Sequence, residues 1–202
     1  MKNALIIFVR NPEWGKVKTR LAKEVGEEVA LKVYKELLQH THDISRDLTC
    51  DKFVYYADCI NELDIWENSI YKKKVQQGEN LGARMMMAFF ELFQQGYTKI
   101  IIIGSDCPGL SGFIIADAFN RLSEAEVVMG PSSDGGYYLL GLIQLFPDFF
   151  INKQWSTEKV LSATLLDAER LGKKYSVLKV LSDIDTAEDL KLYQDISKNG
   201  MM

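Results

Sequence analysis

Lys99-Ile100-Ile101-Ile102-Ile103-Gly104-Ser105-Asp106-Cys107-Pro108 runs from four consecutive isoleucines straight into a polar turn. β-branched side chains suit a pleated strand better than a helix, and an unbroken apolar run implies burial on both faces. Such strands sit in parallel or mixed sheets covered by helices. Working outward, Ala4–Val9, Lys52–Ala57, Glu126–Met129, Tyr137–Ile143 and Tyr175–Val180 read as further strands, with Lys73–Gln77 a weaker one. Between them, apolar residues recur at helical spacing. One set is Val29, Val33, Leu37, Thr41, Ile44 and Leu48; a second is Leu81, Met85, Ala88, Phe89, Leu92 and Phe93; a third is Val160, Leu161, Thr164, Leu165, Ala168 and Leu171. The alternation predicts an α/β domain with helices on both sheet faces. No linker or repeat interrupts it, so residues 1–202 are expected to form a single domain, with 198–202 fraying at its end.

Composition narrows the function. With 202 residues, 47% hydrophobic and 26% charged, the chain reads as an ordinary globular protein. A net charge of −4 argues against nucleic acid as partner, so any phosphate site must be a local cluster of cations. Three cysteines without a CxxC pair point to a reducing, cytoplasmic setting. The two histidines, His40 and His42, stand two apart and would not share a helix face, which disfavours a zinc site. No run approaches the roughly 18 apolar residues of a membrane span.

Ligands of open α/β sheets bind outside the carboxyl ends of the strands, so the loops after the strands carry the functional reading. The first, Arg10 to Arg20, places Lys16, Lys18 and Arg20, then Lys23, around Gly15 in an otherwise acidic chain. It has neither a Walker A nor a GxGxxG pattern. The residues alone leave two readings open, a phosphate cradle or a solvated basic turn. In Gly78-Glu79-Asn80-Leu81-Gly82-Ala83-Arg84, a turn enters a helix whose first turn carries Arg84, where acidic residues are normally preferred; an anionic ligand would account for it. Asp106 stands at the carboxyl end of the isoleucine strand, the position for a metal carboxylate; the plain reading is a turn Asp bonding its own backbone. Cys107 has no accompanying base and reads as packing. Gly130-Pro131-Ser132-Ser133-Asp134-Gly135-Gly136-Tyr137-Tyr138 is a hairpin by its glycines, and its Asp and Tyr content also suits an acceptor site. Trp155 precedes Ser156-Thr157, either of which would cap the next helix. In Asp183-Ile184-Asp185-Thr186-Ala187-Glu188-Asp189, Thr186 and Asp189 form a capping box. Asp183 and Asp185 are surplus to capping and would reach the same sheet edge as Asp106.

The ordered set of these blocks resembles a bacterial family of GT-A-type transferases, formerly of unknown function, whose members are labelled glycosyltransferases of the arsenosugar-biosynthesis type or associated with radical-SAM proteins. The matching blocks are Arg10-Asn11-Pro12 with Gly15–Leu21, Leu81-Gly82-x-Arg84-Met85, Ile103–Pro108, Gly130-Pro131-x-x-Asp134–Tyr138, Trp155-Ser156-Thr157 and Asp183-x-Asp185-Thr186-x-x-Asp189. The resemblance implies a three-layer α/β/α nucleotide-diphospho-sugar transferase (GT-A) fold with a mostly parallel mixed sheet, related to the molybdenum-cofactor guanylyltransferases. It also implies nucleotide and phosphate contacts from Lys16, Lys18 and Arg20, and a Mg²⁺ or Mn²⁺ ion on Asp106 and Asp185. Arg10, Gly15 and Arg84 complete the candidate nucleotide set, and Asp134, Tyr137 and Trp155 the acceptor side. Two departures stand out: the first loop has one glycine where nucleotidyltransferases carry several, and Asp106 is not part of an Asp-x-Asp.

The expectation is therefore a metal-dependent glycosyltransferase that takes a nucleotide-sugar donor and a small-molecule acceptor, with Asp134 as general base if the reaction inverts. Lys18 and Arg20 are expected at the surface, and Asp183 is expected to tolerate replacement. The same-fold rival is a guanylyl- or cytidylyltransferase releasing pyrophosphate. A catalytically inactive nucleotide-binding protein is the rival from another class; it would have no evident need for metal carboxylates.

Overall fold

The computed structural model describes residues 2–198; of the fray expected over 198–202, Lys198 closes the last helix and the rest lies outside the described residues. The strands are β1 (Asn3–Val9), β2 (Asp51–Tyr56), β3 (Tyr71–Val75), β4 (Lys99–Ile103), β5 (Val127–Pro131), β6 (Tyr137–Leu142) and β7 (Tyr175–Val177). They form one seven-stranded sheet in the order β3-β2-β1-β4-β6-β5-β7. All pairings are parallel except those of β6 with β4 and β5, so the sheet is mixed and mostly parallel, as expected. The helices are α1 (Thr19–Val25), α2 (Glu27–Arg46), α3 (Leu81–Gln94), α4 (Gly112–Arg121), α5 (Val160–Arg170) and α6 (Ala187–Lys198).

The isoleucine strand explains the layering. Successive side chains of β4 point to opposite faces. Ile101 and Ile103 join Leu5, Ile7, Val54 and Leu139 beneath Tyr34 and Leu38 of α2 and Ile115 and Ala118 of α4. Ile100 and Ile102 join Ile6, Phe53, Met129 and Leu140 beneath Met85, Phe89 and Leu92 of α3 and Ala168 of α5. A smaller core of Leu21, Val33, Leu37, Ile184 and Leu190 fastens α1 and α6 to the outer side of α2.

Several sequence expectations shift. Val29 is exposed, because α2 turns Ala30, Val33 and Leu37 to the small core and Tyr34 and Leu38 to the sheet. Leu81 is also exposed, at the entry of α3. The strand expected over Tyr175–Val180 ends at Val177 and continues as irregular edge pairing, with the Leu178 N–H on the Met129 carbonyl. Neither Ser156 nor Thr157 is the N-cap of α5, which begins at Val160 behind Lys159. Helix α4, whose Ser111 cap accepts the Ile114 N–H at 3.4 Å, was not foreseen: its Phe-Ile-Ile start looks like a strand.

Candidate functional site

Because β1, β2, β3, β4, β5 and β7 run in one direction, their carboxyl ends share one edge, and the loops that leave them frame a crevice of about 700 Å³. Arg10, Lys16, Lys18, Arg20, Arg84, Asp106, Asp134, Tyr137, Trp155, Asp183 and Asp185 all border it. Gly15, by contrast, lies outside its lining; its φ of +72° marks it as the residue that turns the loop.

The first loop is held from beneath by Tyr34 of α2. Its hydroxyl accepts the Arg10 N–H at 2.8 Å and donates to the Arg10 carbonyl at 3.1 Å. Nothing in the sequence around Tyr34 distinguished it from a core aromatic. At the end of the loop Lys18 adopts the left-handed region (φ +47°), which L-residues with a β-carbon occupy only at some cost. Its ammonium reaches Asp106 Oδ1 at 2.7 Å and Asp185 Oδ1 at 3.1 Å. Only 4% of the Lys18 side chain is exposed, which corrects the expectation that it lies at the surface. Burial works against the charge on Lys18, but the Asp106 and Asp185 carboxylates outweigh it and hold its pKa above the ordinary value. Arg20 is largely exposed, with a guanidinium nitrogen 3.9 Å from Asp185 Oδ2. Lys16 is also exposed and turns to Glu13 of its own turn at 2.6 Å.

Asp185 is free for this role because capping is done by its neighbours. Asp189 accepts the N–H groups of Asp185 and Thr186 and the Thr186 hydroxyl, while Thr186 Oγ1 accepts the Asp189 N–H. The Ile184 N–H donates to the Asp106 carbonyl at 3.2 Å and ties the two carboxylate-bearing loops together. Two residues nearly 80 apart in sequence thus meet through one ammonium group. Both carboxylates converging on one cation is the donor set that Mg²⁺ accepts, one or two carboxylates plus phosphate oxygens. Asp106 and Asp185 are therefore the residues that would hold a divalent ion. Among the described residues no three His, Cys, Asp or Glu side chains are grouped tightly enough to form an all-protein metal site.

The remaining residues divide clearly. Arg84 turns back to the Gly78 carbonyl at 3.1 Å and the Gln76 side chain at 3.5 Å, bracing the turn that Asn80 caps. Asp134 Oδ1 accepts the Ser132 hydroxyl and the Gly136 N–H, as the hairpin reading required. The Trp155 indole lies against Gly82, where any β-carbon would collide with it. Tyr137 carries its hydroxyl buried and without a partner among the described residues. Cys107 is buried and its thiol is pushed up to about 12 by burial, in keeping with packing.

Asp183 was the least regarded of the acidic residues, yet it is the most perturbed. Its Oδ1 is buried without a partner among the described residues. Burial, with the negative charges of Asp106 and Asp134 added and Lys18 opposing, pushes its carboxyl up to about 7. The sign follows directly: the unfolded chain ionises Asp183 near its ordinary pKa, while the folded protein keeps the proton. The stability that protonated Asp183 contributes should therefore be lost as pH rises from about 4 to about 7. Asp183→Asn should lack this loss and exceed wild type at pH 8 by about 2–4 kcal/mol, with near equality at pH 4. Urea melts at both pH values check it; parallel behaviour of the two proteins would mean that the carboxylate is solvated.

Comparison with known proteins agrees with this fold. Residues 40–157, more than half of the chain, match the family model described as "Uncharacterized protein conserved in bacteria (DUF2064)". No curated protein sequence matches. A solved structure from Desulfovibrio desulfuricans G20, provisionally named a nucleotide-diphospho-sugar transferase, superposes with a TM-score of 0.89 at 31% identity over 97% of this chain and 88% of that one. Rv0371c of Mycobacterium tuberculosis H37Rv, solved in complex with manganese, gives 0.63 at 13% identity over 96% and 99%. A CMP:2-keto-3-deoxy-manno-octonic acid synthetase complexed with CTP gives 0.61 at 11% identity over 99% and 100%; these last two likenesses are of fold alone.

Proposed function

This chain belongs to that bacterial family, and from that premise we propose that it is a transferase that moves a sugar from a nucleotide-sugar donor to a small-molecule acceptor with the help of Mg²⁺ or Mn²⁺. The observation that carries the reading is the meeting of Lys18 with Asp106 and Asp185 at the floor of a nucleotide-sized crevice. Lys18 and Arg20 would take the donor's phosphates, with Lys16 free to join once it leaves Glu13. A bound divalent ion would supply charge neutralisation for the departing nucleoside diphosphate. Asp134, one oxygen of which is already committed to its turn, would take the acceptor's proton on the other if the reaction inverts. Tyr137 and Trp155 would line the acceptor side. The reading places the protein in the cytoplasm, in line with three free cysteines, and no helix among the described residues is long and apolar enough to cross a membrane. Its finest form is a glycosyltransferase of the arsenosugar-biosynthesis type or one associated with radical-SAM proteins.

Support comes from the name given to the Desulfovibrio protein and from manganese in the Rv0371c structure. The glycine-poor first loop disfavours the nucleotidyltransferase alternative. Incubation with a panel of nucleotide sugars and Mn²⁺ should release nucleoside diphosphate, slowly when acceptor is omitted. Pyrophosphate formed from a nucleoside triphosphate would overturn sugar transfer in favour of nucleotidyl transfer.

A further inference from the structure

Lys18 lies between the two carboxylates proposed above as metal ligands. Its ammonium is within 3.1 Å of both carboxylates proposed as metal ligands, and its side chain is almost wholly withdrawn from solvent. A surface-loop lysine ordinarily keeps its head in water. Here the backbone is held in a left-handed conformation at the residue that delivers the head inward. We propose that Lys18 is a resident counter-ion that occupies the metal position in the ligand-free protein, so that a divalent cation and Lys18 exclude one another there and metal entry releases Lys18 toward the donor's phosphates. The proposal rests on the metal reading of Asp106 and Asp185 given above.

Charge balance supports it. Asp106 and Asp185 with Lys18 between them sum to one negative charge. Without any cation, two carboxylates tied together by the Ile184–Asp106 backbone bond would face each other and the buried Asp183. A divalent ion replacing Lys18 brings the pair to neutrality, whereas an ion added beside Lys18 would place two cations in one small space. The four-carbon stem of lysine lets the ammonium swing away by side-chain rotation alone. The same motion would bring it to the mouth of the crevice, beside the exposed Arg20. Metal and phosphate binding would then reinforce each other, because the metal removes the interaction that keeps Lys18 from phosphate.

The experiment uses Mn²⁺ alone, without nucleotide, and follows bound and free ion by electron paramagnetic resonance. Lys18→Met should bind Mn²⁺ roughly tenfold more tightly than wild type, since the competing charge is gone. Lys18→Arg, which keeps the charge, should stay near wild type, and Asp106→Asn should lose binding in either background. If Lys18→Met binds no more tightly while Asp106→Asn still abolishes binding, the metal site stands and Lys18 is a fixed strut, which overturns the proposal. If Asp106→Asn leaves binding unchanged, the metal reading falls and the proposal with it. A second measurement needs no variant. Mn²⁺ should increase labelling of Lys18 in the wild-type protein by an amine-reactive reagent, read by mass spectrometry; unchanged labelling on a metal-saturated protein would equally overturn the proposal.

Discussion

Asp106→Asn should lower kcat for donor turnover by about 10³-fold, close to the loss seen when one transition-state electrostatic partner is removed. Asparagine keeps the shape and the turn geometry but removes the charge on which Lys18 and a divalent ion both depend. Asp106 itself is about half exposed, and the buried Lys18 ammonium keeps Asp185 as a partner, so the melting temperature should move little. The loss should therefore appear in kcat at saturating Mn²⁺ with a folded protein. A variant that keeps most of its activity would show that Asp106 belongs only to its turn. A variant that loses activity because it unfolds would show instead that the ion pair holds the loops together.

How far the sequence carries can be judged from particular residues. The four isoleucines of β4 disclosed a doubly covered strand, since no solvated strand would waste polar positions on both faces. The rule that loops at strand carboxyl ends hold the ligand then picked out most of the segments that border the crevice, but not Tyr34 of α2 or Ala57 after β2. Thr186 and Asp189 were legible as a capping box, which left Asp185 available. What the sequence withheld depends on packing between distant segments. Spacing cannot tell that Lys18 bends inward, because its contacts lie on loops roughly 90 and 170 positions away. Nor can it tell that Asp183 is the buried carboxyl and Asp185 the paired one; alternate residues after an edge strand look equivalent until the Ile184–Asp106 bond fixes their register. Gly82 shows the same limit: its want of a side chain has meaning only once Trp155, over 70 residues later, is seen lying on it.

The central claim is that the first loop and the carboxylate pair together receive a nucleoside diphosphate. Its most direct test is calorimetric titration of nucleoside diphosphates into wild type and the Lys18→Ala, Arg20→Ala double variant at saturating Mn²⁺. Charge-assisted contacts to phosphate contribute roughly 1.5–3 kcal/mol each, so losing two should weaken binding by about two orders of magnitude or more. Salt should weaken wild-type binding more steeply than that of the variant, because fewer cations remain to be screened. Wild-type binding weakened to that degree in the double variant is the predicted result. Equal affinity in the two proteins would contradict the account and return the loop to a solvated basic turn.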